Sequence, residues 1–273
     1  MVTIVLFHDP DREAFARQVA ALKRRYTIVS LESYLESRAD ERNGRMPAKS
    51  LIITLDDGHR GNAALLDTVR AEGVPVTIFL CSGILGTRRR FWFEHDLPNG
   101  DVPALKLLPD DTRLAALAAR GFSDEAEFEP RQALSIEEFE QLRAHIDFQA
   151  HTVTHPILPN CSDAKAHAEI AGSKAQLEAL SLEITTLSYP NGDYTARELA
   201  ALESAGYTCG ITVDAGYNTA RTDLRRLRRI GISDEASPTE LVVKASGLVD
   251  LAKVAVDGLI GMRRRHSVRE RPE

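Results

Sequence analysis

The sequence predicts an α/β protein whose strands run parallel, in a sheet or a barrel. Short apolar runs rich in β-branched residues alternate with helical patterns along most of the chain. Several of these runs are apolar at consecutive positions, as strands covered on both faces are. Helix stop signals stand directly before the next run, and repeated strand–helix units imply right-handed crossovers between parallel neighbours.

In chain order, strands are expected at residues 2–7, 27–30, 50–54, 76–80, 146–149, 184–187, 208–212 and 229–232. Helices are expected at 12–25, 61–72, 135–144, 163–180 and 195–205. Ser135-Ile136-Glu137-Glu138 puts serine at an N-cap and glutamate three residues on, a capping box that satisfies two free backbone donors. Gly73 and Gly206 close the helices at Glu72 and Ala205, and a strand follows each. Residues 87–130 break the rhythm. Phe91-Trp92-Phe93, Pro98, Pro103, Pro109 and many charges mark an insertion with short helices. It reads equally as part of a binding rim or as a surface excursion anchored by its aromatics. Residues 238–262 read as a further helix, reaching to about 265 with Arg263-Arg264-Arg265, cations that suit a helix C-terminus. Leu241, Val242, Leu248, Leu251, Val254 and Leu259 give it many apolar positions. The plain expectation is packing on the body, and the basic end also fits a membrane-surface or partner role.

A length of 273 residues suits one domain across 1–273. Hydrophobic content of 43% with 27% charged residues is ordinary for a globular protein. The net charge of -6 gives no sign of nucleic-acid binding. The basic runs at 88–90, 225–229 and 263–265 are therefore read as solvated loop or helix-end charges. Cys81, Cys161 and Cys209 make neither a CxxC motif nor a disulfide framework, which favours a reducing compartment. The opening residues MVTIVLFH carry no basic leader and too short an apolar stretch for a signal, so a cytoplasmic location is expected.

Chemistry concentrates at expected strand ends, the usual place for it in α/β proteins. Asp56 and Asp57 are adjacent and would point to opposite faces of a regular strand. Gly58 permits a sharp turn that brings both to the rim. Two bare carboxylates so close repel one another. A divalent cation on one removes the conflict and leaves the other free to accept a proton from water. Alone, Asp-Asp-Gly reads equally as a turn. His151 and His155 are four apart, and Pro156 disfavours helix at His155, so a turn after a strand is expected. The imidazole pair fits a metal or a hydrogen-bonded turn. Together, a carboxylate and two imidazoles make a three-ligand set with positions open for water and substrate, which suggests a metal-dependent hydrolase. A third segment, Leu187-Ser188-Tyr189-Pro190-Asn191-Gly192, also follows an expected strand. Pro190 has no N–H, so the next free backbone donor is that of Asn191, able to face a developing oxyanion.

The order Asp-Asp-Gly, His-Thr-x-x-His-Pro, Tyr-Pro-x-Gly resembles the polysaccharide deacetylases of the NodB-homology type (carbohydrate esterase family 4), from the first strand to about Ile232. The resemblance implies a distorted (β/α) barrel of about seven strands. It implies one divalent metal, zinc foremost with cobalt, nickel or iron also suited, held by Asp57, His151 and His155. Asp56 would be the base. Three departures stand out. An Arg often found two residues before the Pro is here Ser188, the tryptophan-bearing fourth motif is not recognisable near Val213-Asp214, and the usual C-terminal His gives way to Arg228-Arg229-Ile230-Gly231. His8, ending the first strand, is similar to the N-terminal His of a branch with permuted motifs, and would be the general acid, with His59 in reserve. His95, His145 and His167 read as insertion or helix-surface residues. Tyr189, Pro190 and Trp92 are candidate sugar contacts. The implied activity is removal of an N-acetyl group from an amino-sugar-containing carbohydrate, nucleotide-linked, lipid-linked or small and soluble. Two other readings remain: hydrolysis of a non-sugar amide on the same fold, and a catalytically silent glycan-binding module.

Overall fold

All eight expected strands form in the computed structural model, which describes residues 1–40, 44–95, 97 and 101–246. They are β1 Val2–Phe7, β2 Thr27–Ile28, β3 Ser50–Leu55, β4 Val76–Leu80, β5 Asp147–Ala150, β6 Thr186–Ser188, β7 Cys209–Ile211 and β8 Ile230–Gly231. Every pairing between these strands is parallel. The path runs β7-β6-β5-β4-β3-β1-β8, with β2 beside β3. Ser50 and Leu51 pair with β2, while Ile53, Thr54 and Leu55 pair with β4. Two strands thus share one side of β3, which distorts the sheet there.

The two ends of the path are joined by one short segment. Leu227 donates its N–H to Gly210 in β7 and accepts that of Thr212. Three residues later β8 pairs with β1. Residues 227–231 therefore bridge the open edges, and the architecture is the expected distorted (β/α) barrel.

Strand parity separates two apolar sets. Val2, Ile4, Ile52, Phe79, Cys209, Ile211 and Leu227 form an inner cluster. Val5, Phe7, Leu51, Ile53 and Leu55 lie in the main core with helical residues such as Phe15, Val19 and Leu22. The helices are α1 Arg12–Lys23, α2 Leu31–Ala39, α3 Leu66–Glu72, α4 Asp101–Leu105, α5 Asp110–Ala118, α6 Ile136–Leu142, α7 Asp163–Glu178, α8 Ala196–Ser204 and α9 Pro238–Ala245, of which α4 and α5 belong to the insertion. The expected capping box at Ser135 is present.

Three elements differ from expectation. Helix α2 was not anticipated, because its apolar stripe is only Leu31, Tyr34 and Leu35; Leu31 and Tyr34 pack into the inner cluster. The expected helix at 61–72 is split into a 3₁₀ turn, Arg60–Leu65, and α3, and the split segment opens on Gly61 and Asn62, weak helix formers. The insertion builds its own small core from Trp92, Leu105, Leu117 and Phe122, closed by Ile157 of the loop after β5. At the C-terminus α9 buries Leu241 and Ala245; its expected extension to about 265, with the Arg263-Arg264-Arg265 cluster, lies outside the described residues. No helix among the described residues is long and apolar enough to cross a membrane.

Candidate active site

One cavity of about 190 Å³ brings together His8, Asp56, Asp57, His151, His155 and Asn191, from the ends of β1, β3, β5 and β6. Asp56 continues the inward row of β3 after Ile52 and Thr54. The turn starts one residue earlier than expected, with Asp57 at φ 73° and Gly58 at φ 76°. Asp57 thereby swings its carboxylate to the same side as Asp56. A side chain at Gly58 would be strained in this conformation and would meet Leu80 Cδ2 at 2.5 Å.

His151 and His155 sit in a loop held at several points. The His151 N–H bonds to Leu80 O, and its Nδ1 donates to Ser188 O at 2.8 Å, which leaves the Nε2 lone pair facing Asp57. Glu169 of α7 accepts from the N–H groups of Val153 and Thr154 at 2.8 and 2.9 Å and from the Thr154 hydroxyl at 2.6 Å. The His155 carbonyl accepts from Trp92 Nε1 at 2.8 Å. These bonds hold Thr152 at φ 66° and His155 at φ 59°, left-handed conformations that a β-branched residue resists. Sequence reasoning missed Glu169, although it falls on the buried face of α7 with Ala166, Ile170, Ser173 and Leu177.

Asp57 Oδ1 lies 3.4 Å from Nε2 of His151 and 3.4 Å from Nε2 of His155. Two ligands about 2.1 Å from one tetrahedral ion stand about 3.4 Å apart. Oδ1 is buried and accepts no hydrogen bond, so the donor set fits a divalent cation. Burial pushes the His155 pKa down to about 3, keeping the imidazole neutral as a ligand must be. His59 donates to the other carboxylate oxygen, Oδ2, at 3.1 Å and faces Glu94 at 3.5 Å. Burial disfavours its charge, but the bond to Asp57 and that carboxylate's charge raise its pKa to about 9. It therefore braces Asp57, and it does not line the cavity.

Asp56 is gripped by Arg229. Nη1 and Nη2 donate to Oδ1 and Oδ2 at 2.7 Å each, and Nη2 also donates to Ser188 Oγ at 2.9 Å. The Ser188 hydroxyl in turn donates to Asp56 Oδ2 at 3.2 Å. Burial alone would push the Asp56 pKa up; Arg229 and His151 outweigh it and hold the group below the ordinary range, as a carboxylate. Arg229 is fully buried, so its reading as a solvated charge is corrected. It stands in the segment that closes the barrel, with the parity of inward Leu227. An arginine thus reaches the aspartate from another strand, and Ser188 leaves room for it.

His8 is exposed beside the cavity, and its backbone is fixed from two sides. Its N–H and that of Asp9 bond to the two oxygens of Asp234, each at 2.9 Å, and Asn62 donates to its carbonyl. Asn191, at φ 54°, leaves its side-chain Nδ2 buried without a hydrogen bond, a donor not anticipated from sequence. The turn that presents it requires Gly192, at φ 72°, where a Cβ would stand 2.5 Å from Val213 N.

The three expected sugar contacts are placed differently. Tyr189 is buried, its ring on Tyr194 and its hydroxyl bonded to Arg225 O. Pro190 is buried in the turn. Trp92 lies under the Arg113 guanidinium, with its N–H spent on His155. Their faces are already occupied within the fold, and the cavity wall is made by Phe93, Lys106 and Val213 instead. Phe93 packs on the His155 ring with centroids 4.7 Å apart. His95 is buried inside the insertion, bonded to Arg120 O, while His145 and His167 are exposed.

Trp92→Phe keeps most of the ring but removes the N–H that holds the His155 loop. Metal affinity, read by chelator competition, is expected to weaken by about 10–100-fold, the usual effect of losing a ligand-orienting partner. Native affinity in this variant would show that Glu169 and Thr152 hold the loop unaided.

A parallel barrel with two histidines and an aspartate gathered beside a second, arginine-bound aspartate defines a site whose donor set could hold a metal ion. The polysaccharide deacetylase family profile matches residues 43–210, and the chain belongs to that family. The deacetylase PplD of Streptococcus pyogenes, solved in complex with acetate, superposes with a TM-score of 0.66 at 19% identity, over 89% of this chain and 97% of that one. IcaB from Ammonifex degensii gives 0.65 at 18% identity, over 90% and 95%. YxkH of Bacillus subtilis (strain 168) is 29% identical over 102 residues, a match that spans 37% of this chain and 37% of that protein.

Proposed function

We propose that this protein is a metal-dependent hydrolase that removes an N-acetyl group from an amino-sugar-containing carbohydrate. The carrying observation is the division of labour between adjacent aspartates: Asp57 is grouped with two imidazoles, while Asp56 is held ionised by Arg229 in the same cavity. Asp57, His151 and His155 would hold the cation, zinc foremost, which supplies Lewis acidity to water and to the acetyl carbonyl. Asp56 accepts the proton of the attacking water; its bidentate partner fixes the carboxylate's orientation through the step. Asn191 offers a donor toward the developing oxyanion. His8 delivers a proton to the departing amine, which is too basic to leave without one. Arg229 holds Asp56 ionised from behind and His8 lines the cavity, which weighs against a silent glycan-binding module. The reading extends to a cytoplasmic enzyme acting on a nucleotide-linked, lipid-linked or small soluble sugar.

Acetate release by metal-loaded protein across soluble, nucleotide-linked and lipid-linked N-acetyl sugars tests this directly. No acetate from any of them would overturn it. His8→Ala is expected to lower turnover by about 10²–10⁴-fold, with the melting temperature and metal affinity unchanged because the side chain is exposed. A loss of only a few-fold would remove His8 from the acid role.

A further inference from the structure

We infer that Lys106 selects substrates that carry an anionic group next to the N-acetyl sugar, and that the insertion is the specificity wall of the site. This rests on the deacetylase reading above and adds the substrate class to it.

The position of Lys106 is fixed by the metal loop itself. Asn160, in the 3₁₀ turn Leu158–Asn160 soon after His155, donates from Nδ2 to the carbonyls of Lys106 and Leu108, each at 2.9 Å. Ile157 of the same loop packs among Trp92, Leu105 and Leu117 of the insertion. The insertion and the histidine loop are thus one packed unit, and Lys106 enters the cavity from it.

The charge of Lys106 has no internal use. Lys23, Lys165, Lys174 and Lys244 each pair with a carboxylate. Among the described residues, Lys106 makes no ion pair and no side-chain hydrogen bond. The two carboxylates of the cavity have other roles, Asp56 held by Arg229, and Asp57 bonded to His59 through Oδ2 and grouped with His151 and His155 through Oδ1. An unpaired ammonium on the wall of the cleft favours a substrate anion beside it. The cavity, about 190 Å³, is below the roughly 300–1,000 Å³ of pockets that enclose a drug-sized ligand. It accommodates an acetamido group with part of a ring and leaves a phosphate or carboxylate on the adjoining position within reach of the wall.

The test uses metal-loaded full chain and the variants Lys106→Ala and Lys106→Arg. Substrates are N-acetylglucosamine 1- and 6-phosphates for the phosphate arm, N-acetylmuramic acid for the carboxylate arm, and neutral N-acetylglucosamine oligomers. The native enzyme is expected to prefer an anionic arm in kcat/KM. Lys106→Ala should lose about 10–100-fold on that arm through KM, the scale of one hydrogen bond to a charged group. On neutral sugar the same variant should lose markedly less, so the ratio between the arms falls, and Lys106→Arg should restore most of the preference. A merely structural lysine would change both arms alike. A native preference for neutral sugars, or an unchanged ratio in Lys106→Ala, overturns the inference while leaving the deacetylase reading intact. If no acetate appears from any substrate, the deacetylase reading falls, and calorimetric binding of the phosphosugars decides separately: equal or absent binding to native and Lys106→Ala protein overturns the role of Lys106.

Discussion

Arg229→Met is expected to lower the unfolding free energy by about 3–5 kcal/mol, the usual result of leaving one member of a buried ion pair alone. Arg229 is fully buried and Asp56 nearly so. The guanidinium makes five hydrogen bonds, two to Asp56 and one each to Ser188 Oγ, Thr54 Oγ1 and Thr212 O. Methionine matches the length but supplies no donor, so Asp56 must either keep an uncompensated charge or take a proton. The pH dependence carries the sign. In the native protein the Asp56 pKa is depressed, so its contribution is present above the unfolded value of about 3.9 and is lost as pH falls. In the variant only His151 and His8 still oppose burial, so the folded pKa rises above the native one and less stability is lost as pH falls. The difference between the two proteins should therefore shrink on acidification. Urea unfolding at neutral and acid pH measures both, and a neutral-pH deficit under about 1 kcal/mol would show that water solvates Asp56 in place of the arginine.

What could be read from the chain and what could not divide along a physical line. Strands 2–7, 50–54 and 76–80 announce themselves because local composition alone makes them β-branched and apolar, and they stand within a residue of expectation. The carboxylate and imidazole clusters are equally local, each within a few residues after a strand. Arg229 was invisible for the opposite reason. Its role depends on where the closing segment meets β7 and β1, a fact of register between edges 200 residues apart in sequence terms roughly, and arginine in a basic run looks like solvent-facing charge. The charge stands two positions after Leu227 and directly before Ile230, in step with the inward side of the segment, and that was the available signal. Trp92 illustrates another limit. Its aromatic character suggested a sugar contact, but the indole faces inward to hold His155 and its neighbour Phe93 takes the cavity wall. A one-residue difference in facing cannot be read where no regular period governs the chain.

The single substitution Asp56→Asn cannot by itself separate catalysis from folding, since it strands the buried arginine just as Arg229→Met strands the aspartate. The double variant Asp56→Asn/Arg229→Met does separate them. With both charges gone, the cost of burying either one alone disappears, and most of the stability lost in Arg229→Met is expected to return. Turnover is not expected to return with it. Asparagine has no lone pair basic enough to take the proton of the attacking water, so acetate release should stay about 10²–10⁴-fold below native even in fully folded protein. Metal affinity should hold near the native value, because Asp57, His151 and His155 are untouched and His151 remains anchored to the Ser188 carbonyl. A stable, metal-binding, inactive double variant would place Asp56 in the chemistry and Arg229 in support of it. A stable double variant with native turnover would instead leave the pair a structural bolt of the barrel and send the search for the base elsewhere in the cavity.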